Sequence, residues 1–233
     1  MKIAIISDIH SNLHALYKAF ETAEKAGVEE VYCLGDIVGY GADPAACVDL
    51  VMKYCSGAVM GNHDEAVALD RGLEILPSAG QAAALHNRSK LSDEQLAFLA
   101  KMPYTLTAHN FTMAHASPWQ PELYLRLDSF YATMEQFKHF DNDFCFIGHT
   151  HLPAIMGNKL GVTRIRAGVR YLINVGSIGQ PRDNNPRLSF GIFDTETLHY
   201  EPQRVPYNVE GAANRILEEG LPESLADRLK VGK

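Results

Sequence analysis

Five short segments of this sequence place Asp, His or Asn side chains at the end of an apolar run. They span residues 6–10, 34–36, 59–64, 113–116 and 146–151. Nitrogen and oxygen donors without a thiolate suit Mn²⁺, Fe²⁺, Ni²⁺ or catalytic Zn²⁺ better than Cu⁺ or a structural zinc. Seven donors are too many for one tetrahedral ion, so the set predicts two ions that share a carboxylate. The donors are Asp8, His10, Asp36, Asn62, His115, His149 and His151.

The spacing of these residues matters more than any one of them. A single Asp-x-His or His-x-His pair on a loop is more often solvated than a metal ligand. In an open α/β sheet, however, ligands bind beyond the carboxyl ends of the strands, so five such segments could converge on one cleft. Asp8 and His10, like His149 and His151, are two residues apart. In an extended chain that spacing directs both side chains to the same side.

The elements between these segments alternate in pattern. Through residue 60 the sequence predicts β-α-β-α-β, and therefore a parallel sheet. Residues 78–101 read as helical, with Ser92 and Gln95 spaced as a capping box. So many strands favour two sheets sandwiched between helical layers. Strands are predicted over 2–7, 31–34, 57–60, 104–108, 111–115, 144–147, 154–157, 161–166, 171–175, 188–194 and 199–206, and further helices over 13–25, 44–54, 129–139 and 209–219.

Composition narrows the class of protein. The 233 residues carry 21 basic and 28 acidic side chains, a formal charge of −7, and no basic block that could follow a nucleic-acid backbone. We therefore expect no duplex nucleic acid as a partner. The first apolar run ends at Asp8, too short for a signal peptide or membrane span, which predicts a cytoplasmic protein without a membrane partner. No linker divides the chain, which predicts one domain over residues 1–233 with a helical cap or outer layer near 64–101.

In its five ordered motifs the sequence resembles the calcineurin-like metallophosphoesterases, including their compact bacterial and archaeal phosphodiesterase branch. The resemblance covers nearly the whole chain, from Asp8 to Ser177. It implies an α/β fold, a four-layer α/β/β/α sandwich of two mixed sheets flanked by helices. It also implies two divalent ions, with Mn²⁺ favoured and Fe²⁺, Ni²⁺ or Zn²⁺ as alternatives. By that resemblance Asp8, His10 and His151 hold one ion, Asn62, His115 and His149 hold the other, and Asp36 bridges both.

The implied reaction is hydrolysis of a small phosphorylated substrate. Two ions can lower the pKa of a shared water and align the hydroxide with phosphorus. The resemblance assigns catalysis to His63, as general acid for the leaving oxygen, together with Asp36 and Asn62. Phosphodiesters are the favoured substrates because Tyr40 stands where the Ser/Thr protein phosphatases and symmetrical dinucleoside-tetraphosphatases of the superfamily have an Arg. The candidate substrate contacts are Asn12, Tyr40 and Arg182.

Three other functions stay open at the level of sequence. Two are enzymatic, a symmetrical dinucleoside-polyphosphatase and a phosphomonoesterase or protein phosphatase. The third is a protein-binding scaffold, because a subunit of the retromer coat uses this fold after losing catalytic residues. This chain keeps His63 and every candidate ligand, which favours an enzyme. The sequence predicts no oligomeric state.

Overall fold

The computed structural model describes residues 1–159, 165–166 and 168–233, which form ten strands and eight α-helices. The strands are β1 Lys2–Ile6, β2 Glu30–Cys33, β3 Gly57–Ala58, β4 Thr105–Ala108, β5 Phe111–Ala114, β6 Phe144–Ile147, β7 Ala154–Gly157, β8 Tyr171–Asn174, β9 Leu188–Asp194 and β10 His199–Val205. The helices are α1 Leu13–Lys25, α2 Pro44–Tyr54, α3 Asn62–Leu69, α4 Ser78–Lys90, α5 Asp93–Lys101, α6 Phe130–Gln136, α7 Val209–Glu218 and α8 Glu223–Val231. Short 3₁₀ turns cover Leu73–Ile75 and Pro121–Leu123.

Both sheets contain five strands and both are mixed. The first has the order β10-β9-β1-β2-β3, in which β1 pairs in parallel with β2 and antiparallel with β9. The second has the order β4-β5-β6-β8-β7, with β5, β6 and β8 parallel and an antiparallel strand at each edge. This architecture confirms the predicted fold class of two mixed sheets flanked by helices.

Three apolar layers hold the sandwich together. Alternate residues of β1 point to opposite sides of the sheet, as strand geometry requires. Ile3 and Ile5 pack between the two sheets with Phe146 of β6, whereas Ala4 and Ile6 pack under α1 and α2. A further cluster joins β6 and β8 to the region of α6. Strand β1 is therefore buried on both faces, which explains why it reads as a continuous apolar run.

Some elements differ from those expected. The helical stretch at 78–101 is two helices. The first ends at Lys90, where Leu91 adopts an extended backbone, and Ser92 caps the second through the predicted capping box with Gln95. Helices α3 and α8 were not predicted as separate elements, since both are short and follow closely on other structure. The strand predicted over 161–166 falls mainly outside the described residues. Within the described residues no helix is both long and apolar enough to cross a membrane.

Candidate metal centre

The candidate ligands come from both sheets. Asp8 follows β1 and Asp36 follows β2 in the first sheet, whereas His115 follows β5 and His149 follows β6 in the second. Each pair of strands is parallel, so each delivers its two residues to one edge. The two edges meet where the backbone amide of His149 donates a hydrogen bond of 3.0 Å to Oδ2 of Asp8.

The backbone has a positive φ at five of the seven candidate ligands. The expectation that an extended chain aligns the paired ligands is wrong, because the strands end before the ligands begin and sharp turns aim the side chains instead. A non-glycine residue in this conformation costs about 1–3 kcal/mol, and such residues cluster at functional sites. The candidate ligands with positive φ are Asp8 (54°), His10 (48°), Asp36 (51°), His149 (66°) and His151 (61°).

One group of ligands is compact and almost fully buried. The donor atoms of Asp8, His10, Asp36 and His151 all lie within 4.8 Å of one another. Oδ1 of Asp8 is 3.2 Å from Nε2 of His151 and 3.8 Å from Nε2 of His10. A carboxylate pair and an imidazole pair at this separation form a pocket of the size that a divalent ion fills.

In this group the Nε2 lone pairs of His10 and His151 point toward each other. Nδ1 of His10 hydrogen-bonds to the carbonyl oxygen of Val38 at 3.1 Å, and Nδ1 of His151 does the same with Gln180. A carbonyl only accepts, so both Nδ1 atoms carry the proton. Burial lowers the pKa of both rings, well below the usual value for His10, so both are neutral. Their Nε2 atoms are 3.1 Å apart, a repulsive arrangement that a cation between them reverses.

A second pair of imidazoles lies beside the first group. Nδ1 of His115 hydrogen-bonds to the carbonyl of Leu34 at 2.7 Å, and its Nε2 is 3.2 Å from Nδ1 of His149. Burial lowers the pKa of His115, but the charge and hydrogen bond of Asp36 outweigh burial and raise that pKa to about 9. In this state a proton on Nε2 occupies the position that a cation would take between His115, His149 and Asp36.

Asp36 lies between the two groups. Its Oδ2 atom is 3.6 Å from Nε2 of His10 and 3.4 Å from Nε2 of His115. Its Oδ1 atom accepts the backbone amide of His63 at 2.8 Å, which fixes the orientation of the carboxylate. This position is the one that the sequence assigned to a bridging ligand.

Buried atoms without partners support the fit of metal ions to this donor set. Oδ1 of Asp8 and Oδ1 of Asn62 are buried and accept no hydrogen bond in the described structure. Buried polar atoms in proteins are nearly always satisfied, so an exception calls for a missing partner. Asn62 begins α3 directly before His63, whose backbone amide donates to the Asp36 carboxylate. Both orphaned atoms belong to residues expected to hold an ion, and their oxygen donors fit a hard divalent cation.

The ring of His63 is held at the side of the first group. Its centroid is 4.4 Å from that of Tyr40 and 4.9 Å from that of His10. Nδ1 of His63 is buried and has no hydrogen-bond partner. Burial lowers the pKa of His63 to about 4, with the charge of Arg182 acting in the same direction and that of Asp36 opposing it. The ring is thus neutral at pH 7, and its Nδ1 lies against Gly39, where a Cβ would collide with it.

Asp64 organises the turns around the site. Its carboxylate accepts three backbone amides, from Ile37 at 2.9 Å, Val38 at 3.2 Å and Gly61 at 3.0 Å. These bonds tie the turn after β2 to the turn that begins α3. A Cβ on Gly61 would lie 2.2 Å from the backbone nitrogen of Asp36, so the two turns can approach this closely only with glycine there.

The three candidate substrate contacts have different surroundings. The Tyr40 ring packs 4.7 Å from the ring of His10, and the guanidinium of Arg182 lies 5.6 Å from the Tyr40 centroid. The side chain of Asn12 caps α1 through Ala15 and donates to the carbonyl of Gly179 at 2.8 Å. All its polar groups serve the fold, so its predicted contact with substrate stays a prediction that the structure does not favour.

Two residues at the site were missed by the sequence analysis. Arg228 of α8 lies 5.8 Å from the Tyr40 ring, on the same tyrosine as Arg182. Tyr124, just after the 3₁₀ turn, places its ring 5.9 Å from that of His115. Neither residue follows a strand or belongs to one of the five motifs, so no local pattern connected it to the ligands.

This chain is similar to known proteins of one phosphoesterase superfamily. Residues 1–198 match the family model of the calcineurin-like phosphoesterase superfamily domain. An uncharacterized protein of Methanocaldococcus jannaschii is 36% identical over 241 residues, an alignment that covers 99% of this chain and 98% of that protein.

Two solved structures are similar over the whole chain. A metallophosphoesterase from Sphaerobacter thermophilus is 34% identical, with a TM-score of 0.89 and coverage of 100% of this chain and 99% of that one. A hypothetical protein from Pyrococcus horikoshii OT3 has a TM-score of 0.83 at 21% identity, with coverage of 100% and 98%. At that identity the second likeness shows the fold alone.

Proposed function

We propose that this chain, which belongs to the calcineurin-like phosphoesterase superfamily, hydrolyses phosphodiesters at a centre of two divalent metal ions. The observation that carries the proposal is the buried pair of imidazole lone pairs on His10 and His151, only 3.1 Å apart. Beside them lies the unpartnered Oδ1 of Asp8. This arrangement is costly for the protein alone and favourable with a cation.

Two sets of residues would hold the ions. Three ligands on each side share the carboxylate of Asp36, which lies within 3.6 Å of an imidazole of either set. When bound, two such ions polarise phosphoryl oxygens and supply a nucleophilic hydroxide from water. The first set is Asp8, His10 and His151, and the second is Asn62, His115 and His149.

The donor chemistry narrows the choice of metal. Four imidazoles, two carboxylates and one amide form a mixed nitrogen and oxygen set without thiolate. Mn²⁺ is our first choice, and Fe²⁺, Ni²⁺ and Zn²⁺ fit the same donors. Carbonyl groups fix the ring orientation of His10, His115 and His151, so these ligands are preorganised before a metal arrives.

We assign His63 to the leaving group. Its ring is held against Tyr40, its backbone is tied to the bridging carboxylate, and one ring nitrogen has no partner. A phosphate oxygen beside this ring stabilises the protonated form and opposes the effect of burial. The ring can then give a proton to the departing oxygen, a role worth about 10²- to 10⁴-fold in rate.

The surroundings of Tyr40 support a diester as the substrate. Arg182 and Arg228 contact the Tyr40 ring, and neither hydrogen-bonds to the ligand cluster in the described structure. Their charge therefore lies beside the metal ligands and not among them. From there it can contact a group esterified to the phosphate better than a free oxygen on the phosphorus. A diester carries two such groups, whereas a monoester dianion carries only one.

The test combines metal analysis with two nitrophenyl substrates. We expect about two ions per chain, and a kcat/KM for bis(4-nitrophenyl) phosphate above that for 4-nitrophenyl phosphate. Removal of the ions by a chelator should abolish turnover, and Mn²⁺ should restore it. Metal-loaded protein that hydrolyses neither compound would favour the scaffold, and faster hydrolysis of the monoester would make this a phosphomonoesterase.

A further inference from the structure

Two arginines share the ring of Tyr40 at the edge of the candidate metal centre. The guanidinium carbons of Arg182 and Arg228 are 5.6 Å and 5.8 Å from the ring centroid. The same ring packs against His63 at 4.4 Å and His10 at 4.7 Å between centroids. Both positive charges are therefore one aromatic ring away from the ligands and from the group assigned to the leaving oxygen.

Neither arginine pairs with an Asp or Glu side chain in the described part of the chain. Arg182 donates to the side-chain oxygen of Gln180, at 2.9 Å from its terminal nitrogen, and Arg228 donates to the carbonyl of Lys233 at 2.9 Å. Other arginines of the fold do pair, as Arg204 with Asp183 at 2.9 Å shows. Among the described residues, two guanidinium groups beside one ring therefore have no acidic side chain as a partner.

These two charges also repel each other. Both side chains are partly buried. Burial lowers the pKa of Arg228, and the charge of Arg182 lowers it further. Two like charges near each other in a partly buried setting cost free energy. An anion between them would remove that cost and gain charge-assisted hydrogen bonds with each.

The position of Arg228 is fixed by the packing of α8. Leu225 and Leu229 of this helix are buried in one cluster with Tyr40 and with Ala212 and Ala213 of α7. The apolar face of α8 thus rests beside the tyrosine and presents Arg228 to its ring. Helix α8 follows residue 198, where the match to the family domain ends.

We propose that Arg182 and Arg228 form a subsite for a second phosphate on the leaving group of the substrate. The proposal rests on the proposed function and specifies its substrate class as a phosphodiester whose leaving group is itself phosphorylated. The leaving side is indicated because His63, which we assign to the leaving oxygen, packs on the same tyrosine as both arginines. Planar guanidinium groups suit this role because each can bind phosphate through two parallel hydrogen bonds.

A binding experiment tests the subsite without any turnover. Pyrophosphate is titrated calorimetrically into chelator-treated full-length protein at low salt. We expect Arg228→Gln and Arg182→Gln each to weaken binding about ten- to a hundredfold, as the loss of charge-assisted hydrogen bonds predicts. Lys230→Gln, which removes an exposed charge from the same helix, should leave the affinity unchanged.

A matched pair of substrates then tests the assignment to the leaving group. Dithymidine monophosphate with and without a 3′-terminal phosphate differs only in the second phosphate. The kcat/KM ratio between the two should fall about tenfold in Arg228→Gln, less in Arg228→Lys, and not in Lys230→Gln. Thermal unfolding of each variant establishes that it is folded, and Arg182→Gln on the loop serves if the helix variant does not fold.

The outcomes separate this inference from the proposed function. Pyrophosphate affinity equal in the wild type and in both glutamine variants, or no binding by the wild type, overturns the subsite even in an active diesterase. Arginine-dependent binding by a protein that hydrolyses no phosphoester would retain the subsite and reject the proposed function. A kcat/KM ratio unchanged in both glutamine variants would overturn the assignment to the leaving group.

Discussion

Two tyrosines flank the candidate metal centre, and their surroundings carry opposite charge. Tyr40 packs on His63 and has the guanidinium groups of Arg182 and Arg228 beside its ring. Tyr124 packs near His115 on the other side, 5.9 Å between ring centroids. We call these the Tyr40 flank and the Tyr124 flank.

The Tyr124 flank is built around a buried carboxylate. Glu65 accepts a hydrogen bond of 2.6 Å from the hydroxyl of Tyr104, whose ring lies 6.3 Å from that of Tyr124. The nearest cation to Glu65 is Arg71 at 3.8 Å, a side chain that is mostly exposed. An anion would be repelled from this flank and attracted to the other.

Because of this difference, the two ester groups of a bound diester would meet different surroundings. A diester held on the ions has two ester groups, and only the Tyr40 flank suits a charged one. The Tyr124 flank suits a neutral group that can lie against an aromatic ring. The charges that distinguish the two flanks come from Arg182 on a loop, Arg228 on α8 and Glu65 on α3. The ligands that follow strands are the same whichever way round a substrate binds.

The largest effect is expected from Asp36→Asn, because Asp36 lies between the flanks. The amide keeps the size of the side chain and removes the charge that both imidazole groups face. Removing one partner from a buried charged set costs about 3–5 kcal/mol, which is about two to four powers of ten in metal affinity. We expect loss of bound metal and of turnover together, measured by elemental analysis and diester hydrolysis.

The same substitution at an exposed site is the control. Asp141→Asn changes the net charge equally and lies on the surface, so metal content and turnover should match the wild type. Two ions retained with full activity in Asp36→Asn would show that the two flanks do not share a bridging ligand.

The sequence predicted the ligands that follow strands, and also Tyr40, His63 and Arg182, but it did not predict Arg228 or the Tyr124 flank. Asp8, Asp36, His115 and His149 each follow a strand, and parallel strands bring such residues to one edge whatever the loops do. The sequence did not predict the positive φ of Asp8, Asp36 and His149, since it shows spacing but not the strain that a turn accepts. Arg228 reaches Tyr40 through the packing of α8 on a distant part of the chain, which only the tertiary structure determines.

His63→Ala tests the Tyr40 flank and should have the second largest effect. An alkoxide needs a proton in order to leave, whereas a nitrophenolate does not. We expect an alkyl or ribose diester to lose about 10²- to 10⁴-fold in kcat/KM, equivalent to about 3–5 kcal/mol of transition-state stabilisation, and a nitrophenyl diester to lose less. Metal content should be retained, and the exposed His199→Ala is the control.

The two substrates decide between two roles for His63. Equal losses on both, measured where chemistry limits the rate, would mean that the ring binds or orients phosphate and supplies no proton. The Tyr40 flank would then carry charge recognition without acid catalysis.

The smallest effect is expected from Tyr124→Phe, which tests the polarity of the site from its neutral side. The hydroxyl donates a long hydrogen bond of 3.4 Å to the carbonyl of Gly61, and burial raises the pKa of the phenol, so it stays neutral. Its removal should lower the free energy of unfolding by about 0.5–1.5 kcal/mol, measured by urea denaturation. Since the ring remains in place, kcat/KM should fall less than about tenfold and by one factor for dithymidine monophosphate with and without its 3′-phosphate. A loss confined to the phosphorylated compound would place the second phosphate beside Tyr124 and reverse the direction assigned to the site.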